Sequence, residues 1–146
     1  MQYKQCEKIL IATDGSENAK NASSYAFALA KMSGAVLYTL YIVPNVSMYA
    51  GIRDVSWAES MNEHFIKEGE ESNKEVVDEG KALGIEVKSF LLEGNPGEEI
   101  VDFAESNDID MIVMGTRGVT GVNRFLIGSV AENVVRHSKK PVLVVP

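Results

Sequence analysis

Short apolar runs alternate along this chain with longer stretches in which apolar residues recur at helical spacing. Apolar runs bounded by turn residues predict strands, and apolar residues three and four positions apart predict amphipathic helices. The pattern predicts five strands, over residues 8–13, 35–43, 85–92, 109–114 and 142–145. Between them it predicts four helices, over residues 19–33, 55–83, 96–107 and 129–137.

The regular alternation of strand and helix predicts a doubly wound α/β fold with a five-stranded parallel sheet of order 3-2-1-4-5, a Rossmann-like nucleotide-binding architecture. The chain has 146 residues, of which 45% are hydrophobic, so we expect one domain over residues 1–146. In this order the winding reverses between strands 1 and 4, and ligands bind beyond the carboxyl ends of the strands at that point. Asp14, Gly115 and the end of the second strand at Val43 are therefore expected to surround one pocket.

A glycine-rich loop links the fourth predicted strand to the fourth predicted helix. It begins with Met114-Gly115-Thr116-Arg117-Gly118, and Gly128-Ser129 follows after nine residues. Glycine lets backbone N–H groups come close to an anion, and a helix N-terminus adds unpaired N–H donors with partial positive charge. The spacing therefore predicts a phosphate site. It is not a Walker A loop, because Gly-Lys-Ser/Thr does not occur, and the cations that it contains are Arg117 and Arg124.

Two of these features also have purely structural explanations. Ser129 and Glu132 fit a capping box, in which the serine would simply begin the helix. Asp14 could form a turn with Gly15 after the first strand. A turn and a ligand contact can coexist at Asp14.

Other candidate side chains are interpreted as structural. His64 and His137 have no spacing that makes a metal site with Cys6. The acidic residues of the second helix predict a solvated face; they are Glu68, Glu70, Glu71 and Glu75. The tyrosines of the second strand and the following segment predict packing; they are Tyr38, Tyr41 and Tyr49. Met48 and Tyr49 are also candidates for a lid over a ligand.

The charge and the cysteine content exclude several classes of function. The formal net charge of −7 and the pI near 4.8 argue against a nucleic-acid partner, because binding to a phosphate backbone needs a basic face. No apolar run approaches the roughly 18 to 20 residues of a membrane span. A single cysteine and the absence of a signal-peptide pattern predict a cytoplasmic protein.

The chain resembles the universal stress protein family. The resemblance runs nearly end to end and rests on residues 9–16, on Gly94-Asn95-Pro96 and 109–115, and on Gly118 through residues 141–145. Members of that family with the complete Gly-x2-Gly-x9-Gly-Ser/Thr motif bind ATP. This chain has the complete motif, which implies the ATP-binding subgroup.

The resemblance implies specific contacts for ATP and for Mg²⁺ or Mn²⁺. It implies Asp14 at the ribose or the metal. It implies adenine contacts from Ala12, Thr13 and Val43. It implies that the ribose and phosphates are lined by Met114, Gly115, Arg117 and Gly118. The phosphate tail would receive backbone N–H groups, and one hydroxyl, from Gly128, Ser129 and Val130.

A homodimer through the C-terminal strand is expected on two grounds. The strand Val142–Val145 is apolar at every position, and an uncovered edge of that kind is an aggregation hazard that pairing with a second copy would remove. The family resemblance also implies dimerisation through this strand.

The combined picture is an ATP-binding regulatory protein of the stress response. No residue stands out as a base that would position water for phosphoryl transfer, so binding is favoured over efficient turnover. A slow ATPase or phosphotransferase at the same site is the alternative, and a nucleotide-independent dimeric interaction module is another. An adenylyl-transferring enzyme is disfavoured because His64 and His137 lack a His-x-Gly-His context.

Overall fold

A single parallel sheet organises the described residues of the computed structural model, which are 2–45, 55–117 and 126–146. Its strands are β1 (Lys8–Thr13), β2 (Val36–Pro44), β3 (Val87–Gly94), β4 (Met111–Gly115) and β5 (Val142–Val145). Their order is β3-β2-β1-β4-β5, with every neighbouring pair parallel. The connecting helices are α1 (Glu17–Ser33), α2 (Val55–Leu83), α3 (Pro96–Ser106) and α4 (Ser129–His137). The predicted fold class and strand order are confirmed.

The helices cover the two faces of the sheet in pairs. Ile9 and Ile11 pack with α1 and α2, whereas Leu10 and Ala12 pack with α3 and α4. Successive side chains of a strand point to opposite faces, so a central strand covered on both faces must be apolar at every position. β1 meets this condition, since residues 9–12 are all buried.

Two helices begin at residues whose side chains cap them. Ser16 accepts a hydrogen bond from the Ala19 N–H (3.1 Å) at the start of α1. Asn95 accepts one from the Glu98 N–H (3.3 Å) at the start of α3, with Pro96 in the first turn. Each cap satisfies one of the N–H groups that a helix leaves unpaired at its start.

β3 and β4 each begin two residues later than predicted, because Ile85 and Ile109 belong to helix ends. The Ile85 N–H donates to the Gly80 carbonyl (2.8 Å), and the Ile109 N–H donates to the Ala104 carbonyl (3.0 Å). The residue before each is left-handed, with φ 72° at Gly84 and 53° at Asp108. This is the Schellman arrangement, which buries an apolar residue just after the helix.

Candidate functional site

The turn from β1 into α1 contains Asp14. Its Oδ1 accepts a hydrogen bond from the Ser16 N–H (2.9 Å), and Thr13 Oγ1 accepts one from the Gly15 N–H (3.2 Å). Gly15 has φ 80°, a conformation that favours glycine. The turn role considered for Asp14 is therefore present, and it engages Oδ1 of the carboxylate.

Asn18, in the first turn of α1, joins this turn to the ends of β4 and β5. Its Oδ1 accepts the Arg117 N–H (2.8 Å), and its Nδ2 donates to the Val145 carbonyl (3.2 Å). A Cβ on Gly115 would lie 2.1 Å from Asn18 Oδ1. Gly115 is thus explained by the close approach of Asn18, independently of any ligand.

Sequence reasoning missed Asn18. Its partners lie 99 and 127 residues away along the chain, so no local pattern identifies them. The available signal was positional: Asn18 continues the inward stripe of small residues at Ala22 and Ala26 with a polar side chain.

The N-terminus of α4 faces the end of β4. Gly128 is the residue before the helix, and its N–H donates to the Thr116 carbonyl (2.6 Å). Ser129 is the first helical residue and is exposed, so the capping box expected from Ser129 and Glu132 is not formed. No side chain among the described residues caps this helix.

The residues predicted to contact the nucleotide differ in how far they are exposed. Ala12, Val43, Met114, Gly115 and Gly128 are buried. Thr13, Asp14, Arg117 and Val130 are half-buried, and Ser129 is exposed. Val43 as a whole residue is only 2% exposed. Gly118, Arg124, Met48 and Tyr49 lie outside the described residues.

The long helix α2 forms the wall beside the Asp14 turn. The Tyr41 hydroxyl donates to Glu68 Oε2 (3.3 Å), and a Cβ on Gly15 would lie 2.8 Å from Ser72 Oγ. Burial raises the pKa of Tyr41, and the negative charges of Glu68 and Asp14 act in the same direction. Tyr41 therefore stays protonated and remains a donor.

The solvated-face interpretation of α2 is wrong for Glu68, which is half-buried, and fits Glu70, Glu71 and Glu75, which are exposed. It failed at Glu68 because β2 carries a buried tyrosine whose hydroxyl needs an acceptor. The packing interpretation of the tyrosines is confirmed for Tyr38 and Tyr41, which are both buried, and Tyr49 lies outside the described residues.

Two cavities border α2. One of about 90 Å³ lies between α1 and α2 and is lined by Thr13, Gly15 and Ser72 among others. A groove of about 430 Å³ lies between α2 and β3, lined by Asn73, Lys74 and Phe90 among others, and no predicted nucleotide contact borders it. We place the candidate site by the strand ends and the loop that follows β4, since the fold directs ligands there.

The histidines lie in different surroundings. His64 Nε2 is 3.8 Å from Glu68 Oε2, and His137 Nδ1 is 2.9 Å from the Asn133 carbonyl. Within residues 2–45, 55–117 and 126–146, no three His, Cys, Asp or Glu side chains are grouped as a metal site requires. Among the same residues, no helix is both long enough and apolar enough to cross a membrane.

A family model, curated relatives and solved structures all show similarity to the same family. A model of the universal stress protein family matches residues 6–146. Universal stress protein MJ0531 of Methanocaldococcus jannaschii is 43% identical over 140 residues, which cover 95% of this chain and 81% of that protein. The solved structure of MJ0577, a universal stress protein of the same organism, matches with a TM-score of 0.83 at 31% identity, over 97% of this chain and 96% of that chain.

A further solved structure is a universal stress protein from Archaeoglobus fulgidus in complex with dAMP. It matches with a TM-score of 0.72 at 27% identity, over 98% of this chain and 100% of that chain. Nucleotide binding thus occurs among the structural relatives. The family match spans nearly the whole chain, and the fold agrees with the solved relatives. The chain belongs to the universal stress protein family.

Proposed function

We propose that this protein binds ATP at the carboxyl edge of the sheet, between the Asp14 turn and the N-terminus of α4, and acts as a cytoplasmic, nucleotide-dependent regulatory protein of the stress response. The observation that carries the proposal is the uncapped start of α4. Ser16 and Asn95 cap α1 and α3, whereas no described side chain caps α4. An uncapped helix start with a glycine-rich approach is suited to an anion.

The phosphate contacts follow from the first turn of α4. The Gly128 N–H is already used by Thr116 and the Glu132 N–H by the Gly128 carbonyl. The N–H groups of residues 129–131 have no partner within the helix. We propose that Ser129 and Val130 donate to the phosphate tail and that the exposed Ser129 hydroxyl adds a further donor.

The adenine and ribose would lie toward β1 and β2. Ala12, Thr13 and Val43 end their strands side by side, since Thr13 pairs in register with Tyr41, two residues before Val43. We propose that these residues contact the adenine and that Asp14, Met114, Gly115, Arg117 and Gly118 surround the ribose and phosphates. The dAMP complex of the Archaeoglobus relative supports an adenine nucleotide as the ligand.

A Mg²⁺ or Mn²⁺ ion would depend on the nucleotide itself. Asp14 is the protein carboxylate proposed for it, and the described residues offer no cluster that would hold the ion alone. Phosphate oxygens supply the other hard ligands that magnesium prefers. Metal and nucleotide are therefore expected to bind together.

We propose binding with little turnover. Efficient phosphoryl transfer needs a group that positions the attacking water or acceptor beside the terminal phosphate. His137 lies at the end of α4 opposite to the phosphate site, and His64 contacts Glu68 on α2. A turnover assay on the wild type and on Asp14→Ala distinguishes slow catalysis from contamination, because contaminating activity would survive the change.

Calorimetry with ATP and Mg²⁺ tests the proposed site. Gly118→Val and Gly128→Val should abolish binding, because a side chain would fill the space of the phosphates. At Gly128 the effect is one of space alone, since its φ of −66° is open to any residue. Gly34→Ala is the control, since that glycine lies at the far end of α1 with open space around it; its φ of 75° adds backbone strain, so the variant also shows what a loss of stability alone does to binding. Unchanged affinity in both loop variants would overturn the phosphate site.

The identity of the ligand has a separate test, which is mass spectrometry of the purified protein for a co-purifying nucleotide.

A further inference from the structure

We propose that Asn18 is a positioning residue, which sets the backbone of Arg117 for phosphate binding by tying it to the end of β5. This inference rests on the proposed nucleotide site and adds a residue that no glycine or phosphate motif includes. Asn18 would act through the Arg117 backbone and not through a contact with the nucleotide.

The geometry is a bridge made by one side-chain amide. The Asn18 acceptor holds the Arg117 N–H at 2.8 Å, and its donor holds the Val145 carbonyl at 3.2 Å. The amide is thereby oriented at both ends. A side chain held at both polar atoms has little freedom to follow a shift of either partner.

A backbone hydrogen bond joins the same two segments that Asn18 bridges. The Thr116 N–H donates to the Val145 carbonyl (2.9 Å), so this one carbonyl at the end of β5 accepts hydrogen bonds from both Thr116 and Asn18. Gly115 leaves the space that the amide fills, because a Cβ there would lie 2.1 Å from Asn18 Oδ1. Residues 115–117 are consequently held by Asn18 and β5 together.

The Asn18 bridge lies next to the proposed phosphate site. Arg117 immediately precedes Gly118, and the Gly128 N–H at the start of α4 is bonded to the Thr116 carbonyl (2.6 Å). Thr116 and Arg117 therefore link the start of α4 to the residue before Gly118. A change in the Arg117 backbone would be passed through Thr116 to the Gly128 N–H at the start of α4, whereas the proposed adenine contacts on β1 and β2 would remain.

The test compares ATP with adenosine, which shares the base and ribose but lacks phosphate. In Asn18→Ala, calorimetry should give an ATP affinity lowered about tenfold, which corresponds to the loss of one net hydrogen bond, and an adenosine affinity within about twofold of the wild type. A general folding defect would lower both affinities equally. Asn21→Ala is the matched control, since Asn21 donates to the Pro146 carbonyl (3.0 Å) one turn further along α1, whereas the Arg117 N–H is bonded to Asn18.

Asn18→Asp provides a second variant if Asn18→Ala is poorly folded. It keeps an acceptor for the Arg117 N–H and loses the donor to Val145, and at high salt its added charge is screened. Its ratio of ATP to adenosine affinity should lie between those of the wild type and Asn18→Ala. An unchanged ratio in both variants, with ATP bound by the wild type, overturns the role of Asn18 alone. A wild type that binds no ATP overturns the proposed function, and the role of Asn18 with it.

Discussion

Gly15, in the β1–α1 turn, lies beside Ser72 of α2, and the two residues line the same small cavity. Gly15 has φ 80°, and a methyl group on it would lie 2.8 Å from Ser72 Oγ. Gly15→Ala should therefore be destabilised by both backbone strain and steric overlap. Gly34 has a similar φ of 75° with open space around it, so Gly34→Ala carries the strain alone, about 1 to 2 kcal/mol.

Urea unfolding of the two alanine variants measures the difference. We expect Gly15→Ala to cost about 1 to 3 kcal/mol more than Gly34→Ala, and Ser72→Ala in the Gly15→Ala background to recover part of that excess. Equal losses in Gly15→Ala and Gly34→Ala would show that α2 does not press on this turn.

Asp14→Asn tests the proposed metal contact without breaking the turn. An asparagine keeps an oxygen for the Ser16 N–H (2.9 Å), so the start of α1 should be unchanged. Loss of the carboxylate should weaken ATP binding far more with Mg²⁺ than in EDTA, because a hard cation depends on charged oxygen ligands. Glu17→Gln removes the same charge from an exposed neighbour and should change neither value. Equal losses in the two buffers would assign Asp14 to the ribose instead.

A homodimer through β5 is proposed, and the ladder with β4 indicates how to test it. The Ile112 N–H donates to the Pro141 carbonyl and the Thr116 N–H to the Val145 carbonyl (both 2.9 Å). The backbone groups of Val144, between these two positions, therefore point away from β4 toward the outer edge. Val144→Pro removes an outward N–H without removing a bond to β4, and proline is tolerated at such edges.

Light scattering should show a dimer for the wild type and a monomer for Val144→Pro. Val144→Ala is the matched control, because it keeps the N–H and should stay dimeric. A charge at Val144 would be a less specific probe, since the side chain also packs against the core. A wild type that is a monodisperse monomer at micromolar concentration would refute the proposal.

Asp110 makes stability depend on pH. Burial opposes its charge, but the N–H groups of Glu7 (2.9 Å) and Lys8 (3.0 Å) and the Lys4 ammonium (3.1 Å) together hold its pKa below the ordinary value. A carboxyl whose pKa is lowered on folding stabilises the protein above its unfolded pKa, and this contribution is lost as the pH falls through the folded pKa.

Asp110→Asn should therefore cost about 1 kcal/mol at neutral pH. The difference from the wild type should begin to shrink as the pH falls below the ordinary aspartate pKa of about 3.9, and it should be lost as the pH falls through the lower pKa of the folded protein. Urea unfolding across this range measures it, with Asp102→Asn, an exposed aspartate of α3, as control. A difference that persists at low pH would mean that the hydrogen bonding of the side chain, and not its charge, stabilises the start of β1.

The strand and helix pattern was largely predictable, and the late starts of β3 and β4 have one cause. Ile85 and Ile109 are as apolar as the strand residues after them, so periodicity assigns them to strands. Both are buried because they close a Schellman helix end, a role decided by the left-handed residue before each. Gly84 is a recognisable signal for that ending, but Asp108 is not.

The candidate site was predictable only in part. The glycine spacing and the strand order indicate which strand ends and which helix start form the site, because parallel strands carry their carboxyl ends to one edge. Ser129 was also open to interpretation as a helix cap, and its exposed position inside the first turn of α4 became visible only in the folded chain. Gly115 was predicted from a ligand, and the fold adds a second reason for a glycine there, because Asn18 leaves no room for a Cβ.

Local periodicity and turn residues thus determined the strands and helices and their order along the chain, since these depend on neighbours a few positions apart. The alternation of strands and helices then indicated the edge of the sheet where a ligand belongs. Tertiary structure alone decided that Asn18 joins Arg117 to Val145 and that Glu68 serves Tyr41. Such hydrogen bonds link side chains to groups that are distant along the chain. They form only where strand register and helix packing bring donor and acceptor within reach.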